Sequence, residues 1–242
     1  MKSRTVLWLA SFTFFCLTVG NIFSESSNAD QTGSTNPTPS PTSEKWKKET
    51  IDTTAGADYL TDIEREIIID INMARTDPAS YARDYIVPIK KYYKGRLLCY
   101  PGQTAIQTSE GLRALDECIS QLLTTKPVRA LSPKKGLTLA ARDHMEDQAR
   151  TGGTGHTGTD HSTVDIRMNR YGKWGISAGE NIDYGNGQAR RIVASLLIGD
   201  GVASRGHRKN LLDPTFNFIG VAVGPHPIYR KMCVIDFAGA YK

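Results

Sequence analysis

The chain has 242 residues, 23% of them charged and 39% hydrophobic, ordinary proportions for a globular protein that exclude wholesale disorder. Its formal net charge of +5, from 30 basic and 25 acidic residues, permits an acidic partner without demanding one. Four cysteines are too few for a disulfide-dense scaffold.

Lys2 and Arg4 precede an apolar stretch from Val6 to Val19, and Thr18-Val19-Gly20 offers small residues for cleavage. This pattern predicts a secretory signal peptide over residues 1–20, hence a secreted, extracellular or periplasmic protein. A spanning helix needs about 20 apolar residues, and no second hydrophobic run of that length follows. Cys16 follows the bulky pair Phe14-Phe15, which is unfavourable for lipidation.

Residues 21–57 are rich in Ser, Thr, Asn and Pro, most densely in Asn36-Pro37-Thr38-Pro39-Ser40-Pro41. So little apolar surface cannot offset chain entropy, and a disordered spacer is expected there. Up to Asp52 the charges cancel: Lys2, Arg4, Lys45, Lys47 and Lys48 stand against Glu25, Asp30, Glu44, Glu49 and Asp52. The net charge therefore belongs to the folding part, one domain over 58–242. With Cys16 removed, Cys99, Cys118 and Cys233 remain, open to one bridge plus a free thiol or to three buried thiols.

Within that domain, Ile63, Ile67, Ile71 and Ala74 recur at helical spacing until Asp77-Pro78 stops the run. Pro78 to Tyr85 predicts a second short helix, and Lys90 to Thr108 an irregular excursion. Helices are expected over Ser109 to Leu123, Leu137 to Ala149, Ser162 to Arg170 and Gln188 to Ile198. The apolar, β-branched runs Phe218 to Gly224 and Met232 to Phe237 flank Gly224-Pro225-His226-Pro227 and read as an antiparallel hairpin. Helices first and strands last point to an α+β fold.

Several motifs fail on context. Gly153-x-Gly155-x-x-Gly158 follows a helix, not the strand a dinucleotide fingerprint needs. His144-Met145-Glu146-Asp147-Gln148 lacks the second histidine of a zincin helix, and Val202 replaces the first glycine of a nucleophile elbow around Ser204. Arg205, Arg208 and Lys209 lack interleaved aromatics and read as a solvated turn, not a nucleic-acid surface.

Four residues stand out in polar, glycine-flanked segments: His156, Glu180, Asp200 and His207. Two imidazoles and two carboxylates, if they converge, make a cleft able to hold a divalent cation or move protons. Each alone also reads as a turn former, a cap or an exposed side chain.

Gly179-Glu180-Asn181-Ile182, followed by a helix and then Gly206-His207-Arg208-Lys209-Asn210-Leu211-Leu212-Asp213-Pro214 leading into Phe218-Ile219-Gly220, resembles the CAP superfamily of cysteine-rich secretory, antigen 5 and pathogenesis-related proteins. Ile71-Asn72-Met73-Ala74-Arg75 and Pro78-Ala79-Ser80-Tyr81 resemble its bacterial-type members, the SCP-like extracellular proteins. The resemblance covers about Asp62 to Pro88 and Leu131 to Tyr241. It implies a three-layer α-β-α sandwich around an antiparallel sheet, with a groove lined by two histidines and two acids.

Carried over residue by residue, Glu180 and His207 fit their motifs. His156 is the first histidine, with His161 as its competitor, and Asp200 stands where relatives carry glutamate. Leu197 replaces a usual tryptophan, the eukaryotic His-Tyr-Thr-Gln segment and disulfides are missing, and residues 89–130 read as an insertion. Sterol or fatty-acid binding is therefore not carried over. The expected function is a non-enzymatic extracellular binding module. Its groove would hold a divalent cation (Zn²⁺ or Mg²⁺) on His156 and His207, together with a ligand. The alternative is a metal-assisted protease or cell-wall hydrolase in which Glu180 activates water.

Overall fold

The computed structural model describes residues 5–7 and 46–242. The cleavage site, Cys16 and the densest part of the expected spacer lie outside the described residues. Thr5–Leu7 (β1), within the expected export signal, forms a short strand. Trp46 is already part of the packed core, ahead of the expected domain start at residue 58. The Trp46 indole donates to the Met73 carbonyl at 3.2 Å, and Ile51 at the end of the single-turn helix Lys48–Ile51 (α1) is buried.

Asp62–Thr76 (α2) starts at a capping box, where the Thr61 amide donates to Glu64 at 2.8 Å. Its Asn72 and Arg75 are polar pins. The Asn72 side chain accepts from the Leu131 amide at 2.8 Å, and the Arg75 guanidinium donates to the carbonyls of Arg129, Leu211, Asp213 and Phe216. A fully buried guanidinium is tolerable because its donors are matched to fixed carbonyls.

Pro78–Tyr81 (α3) continues into a π-turn and then a 3₁₀ segment ending at Tyr92. The excursion contains a small antiparallel meander, Tyr93–Lys94 (β2), Leu97–Leu98 (β3) and Ile106–Gln107 (β4). Leu112–Thr124 (α4) buries Leu115, Cys118 and Leu122 in the main core, so the segment read as an insertion is partly core.

Ser132–Pro133 (β5) leads to Lys135–Thr151 (α5) and Val164–Tyr171 (α6). Trp174–Tyr184 (β6) follows, then Ala189–Ile198 (α7), which ends on Gly199 in the left-handed conformation that glycine adopts without strain. Gly206–Leu212 (α8), Phe218–His226 (β7) and Arg230–Tyr241 (β8) complete the chain.

The main sheet runs in the order β1-β6-β8-β7-β5, antiparallel through β6, β8 and β7 and parallel at both short edges. Strand alternation divides its faces. Val221, Cys233, Ile235 and Phe237 pack with α2, α4, α7 and α8, whereas Ala222, Met232, Val234, Ala238, Ala178 and Ile182 face α5 and α6. This is the three-layer α-β-α sandwich of an α+β protein. Helix α5 lies so close to β7 that a Cβ on Gly220 would stand 2.1 Å from the Leu137 carbonyl carbon, so only glycine fits there.

Three sequence expectations change. The Glu180 segment is not a loop but the middle of β6, hidden because Glu180, Asn181 and Asp183 are polar and yet buried. His207 sits in the first turn of a helix. Arg205 and Arg208 are buried, not solvated: Arg205 forks to Glu110 and Glu117, and Arg208 reaches Glu117, Gln121 and the carbonyls of Leu197 and Ile198. Cys99, Cys118 and Cys233 are free thiols, with Cys118 and Cys233 fully buried.

Candidate functional site

Alternation along β6 turns Glu180 toward α5 and α6 and Asn181 toward α8. The two adjacent residues therefore do different work. The Asn181 side chain donates to the His207 carbonyl at 3.0 Å and accepts from Asn210 at 2.9 Å, fixing α8 against the strand. Glu180 faces the loop between α5 and α6, where His156 Nδ1 donates to its Oε1 at 2.7 Å. Its other oxygen accepts from Arg167 of α6 at 2.6 Å. The same guanidinium donates to the carbonyls of His156 and Ser162, at 3.2 and 2.8 Å, so Arg167 holds both the acid and the loop that carries the imidazole.

These contacts set the charge. Burial alone raises the Glu180 carboxyl, but the His156 hydrogen bond and the Arg167 charge outweigh it and hold the carboxyl below its ordinary value. His207 is pushed down to about 4 by burial and by the nearby His156 ring, and its Nε2 has no hydrogen-bond partner among the described residues. The structure thus brings His156, Glu180 and His207 into one electrostatic neighbourhood. His161, the alternative first histidine, is exposed on the loop surface.

Asp200 is placed differently. Its two oxygens accept from the amides of Ser109 and Glu110 at 2.6 and 2.8 Å, ahead of α4. Glu110 answers by accepting from the Gly201 amide at 3.0 Å and from Arg205 at 2.6 Å. Asp200 is therefore part of a clamp between the α7–α8 turn and α4, and its carboxylate is not turned to the histidines.

Sequence reading missed three neighbours. Arg167 looked like one more charge on a short amphipathic helix. His144 of α5 donates from Nε2 to the Gly155 carbonyl at 2.7 Å, shaping the loop before His156. Asp236 pairs directly opposite Glu180 across the β6–β8 ladder and is fully buried, with no donor to either oxygen among the described residues. Burial, reinforced by the Glu180 charge, raises its pKa well above the ordinary value. A lone acid inside the apolar run Met232 to Phe237 was the available signal.

The family model for the cysteine-rich secretory protein (CAP) family matches residues 94–237, more than half of the chain and all of this site. The chain belongs to the CAP family. The match begins inside the segment read as an insertion, so most of that segment lies within the CAP match. Among solved structures, this CAP chain is similar to an extracellular protein containing an SCP domain from Bacillus anthracis. Identity is 24% and TM-score 0.39, over 46% of this chain and 34% of that one, so the chain spans well under two thirds of that protein. It is also similar to an outer surface protein from Borrelia burgdorferi, at 18% identity and TM-score 0.40, over 46% of this chain and 78% of that one. No curated protein matches the chain.

Proposed function

We propose that this CAP chain is a secreted binding module that takes an extracellular ligand at the His156–Glu180–His207 groove without turning it over. Export is supported by the charged and apolar pattern at the amino terminus, and among the described residues no helix is long and apolar enough to cross a membrane. The observation that carries the binding reading is the state of Glu180. Both its oxygens are engaged, one by His156 and one by Arg167, so what it does in this structure is orient an imidazole.

A divalent cation fits this donor set poorly. A four-residue site needs Glu180 and Asp200 as free carboxylates, yet one is bound to a guanidinium and the other to backbone amides. Among the described residues no group of three His, Cys, Asp or Glu side chains is arranged to hold a metal. What remains is a pair of imidazoles, a set better suited to zinc than to magnesium. The groove's polar ligand group is therefore assigned to hydrogen bonding at the His207 edge.

The hydrolase reading keeps one observation in its favour. An acid that orients a histidine at 2.7 Å is half of a general-base pair.

Metal content of purified protein, measured beside His156→Ala and His207→Ala, separates the readings. Substoichiometric metal in all three is expected; stoichiometric zinc lost in both variants would restore the cation. Casein and peptidoglycan are expected to stay intact. Turnover abolished by Glu180→Gln would replace binding with hydrolysis.

A further inference from the structure

A cleft of about 210 Å³ lies between the π-turn and 3₁₀ segment that follow α3, the excursion at Tyr100 and the start of α7. Its lining is aromatic and cationic. The Tyr92 and Tyr100 rings stand 5.1 Å apart between centroids. The Arg191 guanidinium lies over Tyr100 at 4.2 Å, and that of Arg190 over Tyr85 at 3.4 Å. All five side chains line the cleft, and none belongs to the His156–Glu180–His207 groove.

The arginines do not make it an anion site. Arg190 is paired with Asp70 of α2 at 2.8 Å, Arg191 donates to Gln103, and a tyrosine ring covers each guanidinium. The volume is also below the roughly 300–1,000 Å³ of small-molecule sites. An aromatic cleft of this size suits a short stretch of extended chain. Proline-rich segments dock aromatic-lined grooves because the polyproline conformation is largely set before binding. It makes no internal hydrogen bonds, so its carbonyls stay free for donors. Tyrosine hydroxyls and the Gln188 amide supply donors in this lining.

This chain carries such a segment beside the cleft. The sequence ahead of Trp46 runs Asn36-Pro37-Thr38-Pro39-Ser40-Pro41-Thr42-Ser43-Glu44-Lys45. Trp46 is buried, and its ring packs on Tyr85 with centroids 5.8 Å apart. The chain therefore joins the packed domain at one wall of the cleft. At about 3.1 Å per residue, Pro41 has a reach of roughly 16 Å from Trp46 and Pro37 of roughly 28 Å, enough to span the site. A segment tethered this closely has an effective concentration on the order of millimolar, which fills even a weak site.

We propose that this cleft is the docking site of the chain's own proline-rich segment, residues 36–43, held by Tyr85, Tyr92 and Tyr100. A proline-rich peptide from another molecule enters only by displacing it.

The test compares the purified chain with a triple variant, Pro37→Ser, Pro39→Ser and Pro41→Ser, which alters no residue of the packed domain. The Tyr92 and Tyr100 ring signals in NMR are expected to differ between the two at every protein concentration. A synthetic peptide of residues 35–43 is expected to bind the triple variant saturably and to return those signals to their wild-type positions. It should bind the wild-type chain about tenfold or more weakly, because the tethered segment competes. Adding Tyr100→Ser to the triple variant should remove peptide binding. Ring signals that coincide in wild type and triple variant would overturn the proposal, whatever Tyr100→Ser does to folding. So would equal peptide affinity for both chains, which would make the cleft a site for another molecule's segment. A difference that appears only as concentration rises would also overturn it, by placing a second copy's segment there.

Discussion

Two of the arginine–carboxylate networks among the described residues are built differently. At the α7–α8 turn, Arg205 binds Glu110 and Glu117, whose side chains keep some exposure, while Asp200 caps the approach to α4. The hydrogen bonds from Arg205 lower the Glu110 carboxyl to about 2. Every polar group of that clamp is satisfied. In the groove layer, Arg167 and Glu180 are almost fully enclosed, and around them Asp236, His144 and His207 keep atoms without partners. A saturated network reads as architecture. One that leaves buried polar atoms open stores a cost that packing alone does not require, and such sites point to ligands.

That contrast can be broken experimentally. The largest effect is expected from Arg167→Met, which leaves Glu180 ionised and buried without its guanidinium. Loss of one partner of a buried pair costs about 3–5 kcal/mol, measured by urea denaturation. A loss under about 1 kcal/mol would mean that the buried pair is not what holds this layer.

Acid sensitivity gives the next effect. His207 has a folded pKa near 4 against an ordinary 6.5, so the unfolded chain binds the extra proton in that interval. Stability from this residue is present above pH 6.5 and declines as pH falls toward 4, by up to about 3 kcal/mol. His207→Asn should flatten that decline in pH-dependent melting curves. Asp183, raised to about 7 by burial, acts with the opposite sign: its destabilisation grows as pH rises from 3.8 to 7. An Asp183→Asn chain measured beside His207→Asn separates the two, and an unchanged acid limb in the histidine variant would move His207 out of its buried site.

Arg205→Ala in the clamp should cost about 2 kcal/mol, the scale of hydrogen bonds to charged groups, and leave the His144 and His156 ring signals unmoved. Movement of those signals would show that the two networks communicate. Asp200→Ala should cost about 1 kcal/mol, as a lost helix-start acceptor does, with metal content unchanged. Loss of bound metal in that variant would return Asp200 to the groove.

The smallest change is expected for Asp236→Asn. The raised pKa favours the neutral acid, and an amide of the same shape is neutral as well, so stability at pH 7 should shift by no more than about 1 kcal/mol. The fall in stability that the raised pKa imposes above pH 3.8 should disappear. A loss as large as that of Arg167→Met would mean that Asp236 is ionised.

Where the chain repeats a simple period, its structure was legible in advance. Helix α2, with Ile67 and Ile71 inward, and the β7–β8 hairpin follow from apolar spacing alone. The hairpin turn lies slightly later than expected, because Pro225 and His226 still pair with Lys231 and Arg230. Strand β6 was illegible, since its buried face includes Glu180 and its other face Asn181 and Asp183. Polar residues in a central strand look like a loop until the partners that satisfy them are known. The site divided along the same line. The motifs around Glu180 and His207 were visible as short runs of neighbours, whereas Arg167, His144 and Asp236 lie on three other elements, and of these only Asp236 carries a local signal, an acid in an apolar run.

The sequence by itself determined the periodic helices, the closing hairpin and the α+β class. Those features depend on near neighbours along the chain, where hydrophobic spacing and turn chemistry act. Only the tertiary structure decided that Asp200 serves a clamp and that Arg167 holds the second oxygen of Glu180. Charge pairing and desolvation depend on distance in space, and α6, β6 and the loop bearing His156 become neighbours only when the sheet is assembled.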